Sequence, residues 1–275
     1  MRKKAKAKKK KNIILVLLII FLLIGVAFYM IKFSDIEIFN FGNNNSTENN
    51  NNQEEKEEKD STNTNSSDNQ ENSNNQNVIR VPSYANARPT DLTKGNLILV
   101  NKENYLPRNF VPSNLINIEP KYGVSGQIKA EVYEAFKEMY VAAELEGLNL
   151  FIQSPYRSWD RQNTVFNSFV RRDGVEAAET YSARPGHSEH QTGLAIDIVA
   201  GRGGQMRAFV NTMEYSWLVA NAHTFGFILR YPNEKTHITG FIYEPWHWRF
   251  LGVEMATRVR NSNLTFDEFY ARYIR

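Results

Sequence analysis

Apolar and polar positions fall along this chain in blocks of sharply different kind. Ile13 to Ile31 is an uncharged run rich in Ile, Leu, Val and Phe, close to the roughly 20 apolar residues that a helix needs to cross a bilayer. Gly42 to about Asn77 is almost wholly Asn, Ser, Thr, Gln, Glu, Asp and Lys. A stretch with so little apolar surface does not offset its conformational entropy and is expected to stay disordered. Only beyond Leu97 do apolar residues recur with the periods of helices and strands. The pattern divides the chain into a basic head over 1–12, a transmembrane anchor over 13–31, a disordered linker over 32–85 and one folded domain over 86–275, a length that suits a single compact unit.

Within the domain, Asn96–Asn101 reads as a short strand, followed by a Pro-punctuated passage that should wrap the surface. Ser125 is placed to cap a helix running to about Glu146, with Ile128, Val132, Ala135, Phe136, Met139, Val141 and Ala142 on one face and Gly147 as its stop. Leu148 to Ser154 is an apolar strand. Ser158 caps a second helix that ends near Arg172 and buries Val165, Phe166, Phe169 and Val170. Gly193–Val199 and Gly226–Tyr231 read as strands separated by a helix carrying Met213, Trp217, Leu218 and Ala222. Helices first and strands later predict an α+β fold with a small antiparallel-rich sheet and flanking helices.

Charge and composition alter this picture in specific ways. The formal net charge of +3 is more than accounted for by Arg2, Lys3, Lys4, Lys6 and Lys8 to Lys11, so the rest of the chain is slightly acidic. The folded part shows no basic stripe with interleaved aromatics, which argues against a nucleic-acid partner. Lysines ahead of the apolar run hold the N-terminus inside and send everything after Lys32 to the outer face, so the domain is expected to be extracytoplasmic. Tyr29 to Phe33 carries no small-x-small cleavage site, which favours an uncleaved anchor over a secretory signal. The chain has no cysteine, which excludes a lipid-modified N-terminus and leaves stability to the core rather than to disulfides.

Candidate chemistry sits in two stretches, Gly186-His187-Ser188-Glu189-His190 through Asp197 and Glu244-Pro245-Trp246-His247-Trp248. His190, Asp197 and His247 are the residue types that bind a hydrolytic zinc through three N/O donors and leave a position for water. Such a site lowers the pKa of water toward neutrality, and Glu244 could take that proton as base and return it as acid. In a strand, residues three apart face opposite sides, so Glu244 and His247 share a site only if the backbone turns at Pro245. Asp197 lies among Leu194, Ala195, Ile196, Ile198 and Val199, where an unpaired carboxylate is costly. A turn cap or a pair with Arg202 is its structural alternative. His187, His223 and His237 read as ordinary hydrogen-bonded or surface histidines, and Trp246 and Trp248 as packing that holds His247.

Ser-x-His-x6-Asp at Ser188 to Asp197 and Glu-Pro-Trp-His at Glu244 to His247 resemble the signature of the zinc D,D- and L,D-carboxypeptidases related to VanY, peptidase family M15. Ser154-Pro155-Tyr156-Arg157-Ser158 and Gly226-Phe227-Ile228-Leu229-Arg230-Tyr231-Pro232 are similar to two further motifs of that family. The likeness covers roughly Leu97 to Gly252. It implies a zinc cofactor on His190, Asp197 and His247, Glu244 as base, Arg157 as the cation facing the developing oxyanion, and substrate contacts from Gln162 and Ser188. An arginine suits that role because its guanidinium stays charged and presents donors in a fixed fork; a surface ion pair is the alternative, and Ser188 could instead cap a turn. Arg184 or Arg230 could hold the substrate's terminal carboxylate, with a buried structural role as the alternative for Arg230. Tyr156 and Tyr243 line the pocket or pack beside it.

The resemblance implies hydrolysis of the terminal D-alanine of a peptidoglycan stem peptide by a single-pass membrane protein whose catalytic domain faces the wall. Two other readings stay open at this point: a noncatalytic wall module that binds D-Ala termini, and an endopeptidase that cuts cross-bridges.

Overall fold

The computed structural model describes residues 82–275. The basic head, the apolar run over 13–31 and most of the linker lie outside the described residues. Among the described residues no helix is long and apolar enough to cross a membrane.

In chain order the domain comprises β1 (Arg88–Pro89), β2 (Asn104–Tyr105), β3 (Leu115–Asn117), β4 (Gln127–Lys129), α1 (Ala130–Leu145), β5 (Leu150–Ser154), α2 (Trp159–Asp173), α3 (Val175–Ala178), β6 (Ala195–Ala200), α4 (Met213–Asn221), β7 (Phe227–Leu229), α5 (Thr236–Thr239), β8 (His247–Phe250), α6 (Val253–Ser262) and α7 (Phe266–Tyr273). The predicted α+β class holds. Its centre is a four-stranded sheet of order β5-β6-β8-β7, antiparallel at every pairing.

α1 is built from good helix formers. It buries Val132, Tyr133, Phe136, Met139, Tyr140 and Ala143, the stripe expected of a helix with one apolar face. Its end is a Schellman motif: the N–H groups of Gly147 and Leu148 donate to the carbonyls of Glu144 and Ala143, each at 3.0 Å, and Gly147 takes a φ of +78° that costs glycine little. Its start differs from expectation. Residues 127–129 pair with β3 and the helix begins only at Ala130, with Lys129 rather than Ser125 at the cap. Ile128 is fully buried at a position where the periods of strand and helix coincide, so the apolar pattern ran through the boundary.

The segment Asn96–Asn101 is not the expected strand: Asn96 and Leu97 close a 3-10 turn, and the residues after them join no ladder apart from a bridge between Asn101 and Asn104. Its carbonyls are taken by side chains instead. Thr90 Oγ1 donates to Leu99 O at 2.6 Å, and Arg249 Nη2 donates to Asn96 O at 2.9 Å and Ile98 O at 2.8 Å.

The sheet separates a wholly apolar layer from a layer that mixes apolar and charged groups. Ile196 and Ile198 of β6 and Trp248 and Phe250 of β8 pack with α1 and α4. The alternate residues, Asp197 on β6 and His247 and Arg249 on β8, face the other way, as the two-residue period of a strand requires. On that side Leu99, Ile228, Leu251 and residues of α6 and α7 form a second cluster. A register shift in β5 between Ile152 and Ser154 brings Ser154 opposite Asp197, which turns the end of β5 toward the polar side. Along the outer side of β5, Ile152 O accepts from Val124 N at 3.0 Å and Ile152 N donates to Tyr122 O at 2.8 Å. A Cβ on Gly123 would lie 2.8 Å from Ile152 Cβ, so only glycine permits this approach.

Candidate metal centre

Asp197 and His247 are register partners on adjacent antiparallel strands, the arrangement that brings opposed side chains closest. Asp197 Oδ1 lies 3.1 Å from His247 Nδ1, and Asp197 Oδ2 lies 3.4 Å from His190 Nε2. His190 arrives from a 3-10 turn over Glu189–Thr192. The donor atoms of all three residues lie within 4.8 Å of one another, and all three side chains are buried. The turn is zipped to the end of β5, since His190 Nδ1 donates to Pro155 O at 2.8 Å and Arg157 N donates to His190 O at 3.1 Å.

Glu244 joins the group through the turn that the sequence requires. His247 N donates to Glu244 O at 3.1 Å, a β-turn with Pro245 in the position that favours it. The turn sets Glu244 Oε2 3.9 Å from His247 Nδ1. Trp248 is core, and its Nε1 donates to Pro245 O at 3.1 Å. Trp246 both packs against the core and lines the adjoining cavity, which its reading as packing alone did not include.

The electrostatics suit a cation. Burial and the neighbouring Arg157 guanidinium push His190 down to about 4, so its ring is neutral. With Nδ1 donating to Pro155, its Nε2 is a buried lone pair without a hydrogen-bond partner. Burial opposes charge on His247, but hydrogen bonds to Asp197 and Glu189 outweigh it and hold that imidazole up to about 9. Asp197 is kept far below the ordinary carboxylate range because His190 and His247 overcome its burial. Glu244 is pushed up to about 8, chiefly by burial and also by Asp197 and Glu189, against the pull of His247 and Arg157. Two imidazoles and a carboxylate whose free donor atoms converge, each far ring nitrogen facing its own acceptor, fit the donor set and outer support of a catalytic zinc.

The site opens on a cavity of about 340 Å³ lined by Arg157, Gln162, Ser188, Glu244 and the converging side chains of His190, Asp197 and His247, among others. Arg157 Nε is buried without a hydrogen-bond partner. Gln162 Nε2 donates to Ala183 O at 2.7 Å, while its Oε1 is likewise buried and unpartnered. Ser188 precedes the 3-10 turn without capping it through its side chain, so its hydroxyl faces the cavity unengaged by that turn.

Other candidates are placed elsewhere. Arg184 pairs with Glu179 and does not line the cavity. Arg230 is fully buried and paired with Glu189 and Asp267, the structural alternative for it. His187 Nδ1 donates to Asn101 O and its ring stacks edge-on against Tyr84. Arg202 donates to Pro120 O rather than pairing with Asp197. Tyr243 bonds the hydroxyl of Tyr215, and Tyr156 is not part of the cavity wall. A residue the sequence did not single out is Glu189, buried between His247 and two arginines. Its signal, a carboxylate flanked by Ser188 and His190 and destined for burial, was masked by the neighbouring motif residues.

Residues 125–253 match the family model described as VanY: D-alanyl-D-alanine carboxypeptidase. A putative carboxypeptidase, YodJ, of Bacillus subtilis is 39% identical over 183 residues, spanning 64% of this chain and 67% of that protein. Among solved structures, the LdcB LD-carboxypeptidase is similar with a TM-score of 0.63 and 36% identity, over 70% of this chain and 92% of that one. The vancomycin-resistance D,D-pentapeptidase VanY, in a variant complexed with Zn(II), is similar with a TM-score of 0.56 and 34% identity, over 63% of this chain and 98% of that one.

Proposed function

Because the chain belongs to the VanY family of D-alanyl-D-alanine carboxypeptidases, we propose that it removes the terminal D-alanine from peptidoglycan stem peptides, with His190, Asp197 and His247 holding zinc. It is an enzyme, a carboxypeptidase of the VanY and LdcB type with zinc as its metal. The observation that carries the assignment of residues is the convergence of His190 Nε2, Asp197 and His247 Nδ1 beside Glu244 at the wall of one cavity.

Zinc held by His190, Asp197 and His247 would supply Lewis acidity, the chemistry that polarises a carbonyl and lowers the pKa of water. The protein does the rest. Glu244, buried and so poised near neutrality, takes the proton of the water and hands it to the departing amine of D-alanine. Arg157 directs its guanidinium, whose Nε has no protein partner, at the oxygen where negative charge develops. Gln162 Oε1 and the Ser188 hydroxyl are the polar groups left to orient the peptide. Trp246, Tyr231 and Phe241 line the same cavity and give it aromatic walls.

The lysine-rich head and the apolar run over 13–31 support a further part of the proposal, that the domain is tethered outside the cytoplasmic membrane where its substrate is found. The test of function is to incubate the zinc-loaded full chain with a stem pentapeptide ending in D-Ala-D-Ala and with the corresponding tetrapeptide, and to weigh the products. Loss of one alanine residue from either, abolished by a chelator and restored by zinc, is expected. Release of D-alanine from neither substrate, or scission only of cross-linked dimers, would overturn it.

A further inference from the structure

Glu189 has no part in the mechanism above, yet it is 1% exposed and touches a proposed metal ligand. Its Oε2 lies 3.4 Å from His247 Nε2, the ring nitrogen turned away from Asp197. Its Oε1 accepts from Arg230 Nε and from Arg249 Nη1, each at 2.8 Å. The two guanidiniums therefore occupy one oxygen and leave the other for the histidine. Both arginines are themselves held from outside the segment that matches the family model, residues 125–253. Arg230 forks onto the carboxylate of Asp267 in α7, which also accepts from Asn101 Nδ2 at 2.8 Å. Arg249 donates to the carbonyls of Asn96 and Ile98.

The geometry points to Glu189 as a positioning residue of the metal centre, which fixes the ring orientation and tautomer of His247 and is itself fixed, through Arg230, by Asp267 of the C-terminal helix. The inference rests on the reading that His190, Asp197 and His247 hold zinc. An acceptor at Nε2 leaves the Nδ1 lone pair for the metal, and partners of this kind orient the ligand ring and raise its basicity. The carboxylate is needed for this because it accepts at both ends. An amide at 189 must present its NH2 either to two guanidiniums, which only donate, or to His247, where it demands the opposite tautomer. The two cations and the carboxylates of Glu189 and Asp267 balance in charge, so the chain from α7 to the histidine is neutral without drawing on Asp197 or Glu244. The C-terminal helix, remote in sequence from the motif residues, is thereby part of the centre.

The experiment compares Glu189→Gln, Asp267→Asn and Phe269→Ala in the full chain. Zinc affinity is measured by chelator competition, the ligand field by the visible spectrum of the cobalt(II)-substituted protein, and kcat and KM by D-alanine release. Glu189→Gln is expected to weaken zinc binding by about 10- to 100-fold and to shift the cobalt spectrum. Asp267→Asn should move both in the same direction by a smaller factor. Phe269 is buried in the same helix but outside the charge chain, so Phe269→Ala should lower thermal stability and leave the affinity and spectrum of the folded protein unchanged. Should Glu189→Gln fail to fold, Asp267→Asn decides alone. Unchanged affinity and spectrum in the folded variants, or an equal loss in Phe269→Ala, overturns the inference. Unchanged zinc affinity in His247→Ala would instead overturn the metal-centre reading on which it stands.

Discussion

His247 and Glu244 are joined by one backbone hydrogen bond, His247 N to Glu244 O at 3.1 Å, and this bond brings a strand residue and a turn residue to the same site. Glu244 is therefore placed by backbone rather than by its own side chain, and changing its chemistry should not disturb the ligands. Glu244→Gln is expected to keep one zinc per chain by elemental analysis while kcat falls by about 10²- to 10⁴-fold, the usual contribution of a positioned general base. Loss of zinc from this variant would contradict the role.

Arg157 offers a second separation of roles. Its guanidinium is expected to act on charge that exists only in the transition state, so Arg157→Ala should lower kcat by about 10²- to 10³-fold with a much smaller change in KM. Arg157→Lys should recover only part of this, because an ammonium lacks the planar fork. A variant altered mainly in KM would move Arg157 from catalysis to substrate binding.

Zinc binding should be linked to pH through His247. This imidazole is held up to about 9, above the ordinary histidine value of about 6.5. In the metal-free protein its contribution to stability is therefore complete below about 6.5 and is lost as pH rises through about 9. A ligand nitrogen must be unprotonated, so zinc and that proton compete, and zinc affinity should climb with pH and level off above about 9. His190, pushed down to about 4, is already neutral and adds nothing to this slope. Calorimetric titration at pH 7 in buffers of different ionisation enthalpy should count at least one proton released per zinc bound, and none released would refute the linkage.

Phe136 tests the apolar layer independently of the site. It is fully buried on α1 in the main core, so Phe136→Ala should cost about 3–5 kcal/mol, read by urea denaturation. If the shortened side chain cost under about 1 kcal/mol, the layer would be far less closely packed than described.

Much of the centre was legible in the sequence because each donor carried a local constraint. Asp197 within Leu194 to Val199 had to be both strand and buried, and Pro245 between Glu244 and His247 had to turn. Ser158 was likewise readable as a cap, and its hydroxyl does accept from Arg161 N at 3.2 Å. What escaped was set by partners distant along the chain. β8 was not foreseen, because His247-Trp248-Arg249-Phe250 reads as two apolar and two polar residues whose burial on both faces depends on Glu189 and the carbonyls of Asn96 and Ile98. Arg249 in turn takes the carbonyls of Asn96 and Ile98, and no local pattern reports a side chain that takes the place of a neighbouring strand. Ser125 failed as a cap because β3, seen only after folding, claims residues 127–129.

The strip Tyr122–Val124 closes off the free margin of β5, and Gly123 alone makes that closeness feasible. An uncovered sheet margin is a template on which further copies can stack, and this protein has no covalent cross-links to keep such margins shut during partial opening. A bulky side chain at 123 would thus betray itself first as clumping on storage or warming, well before any fault in turnover.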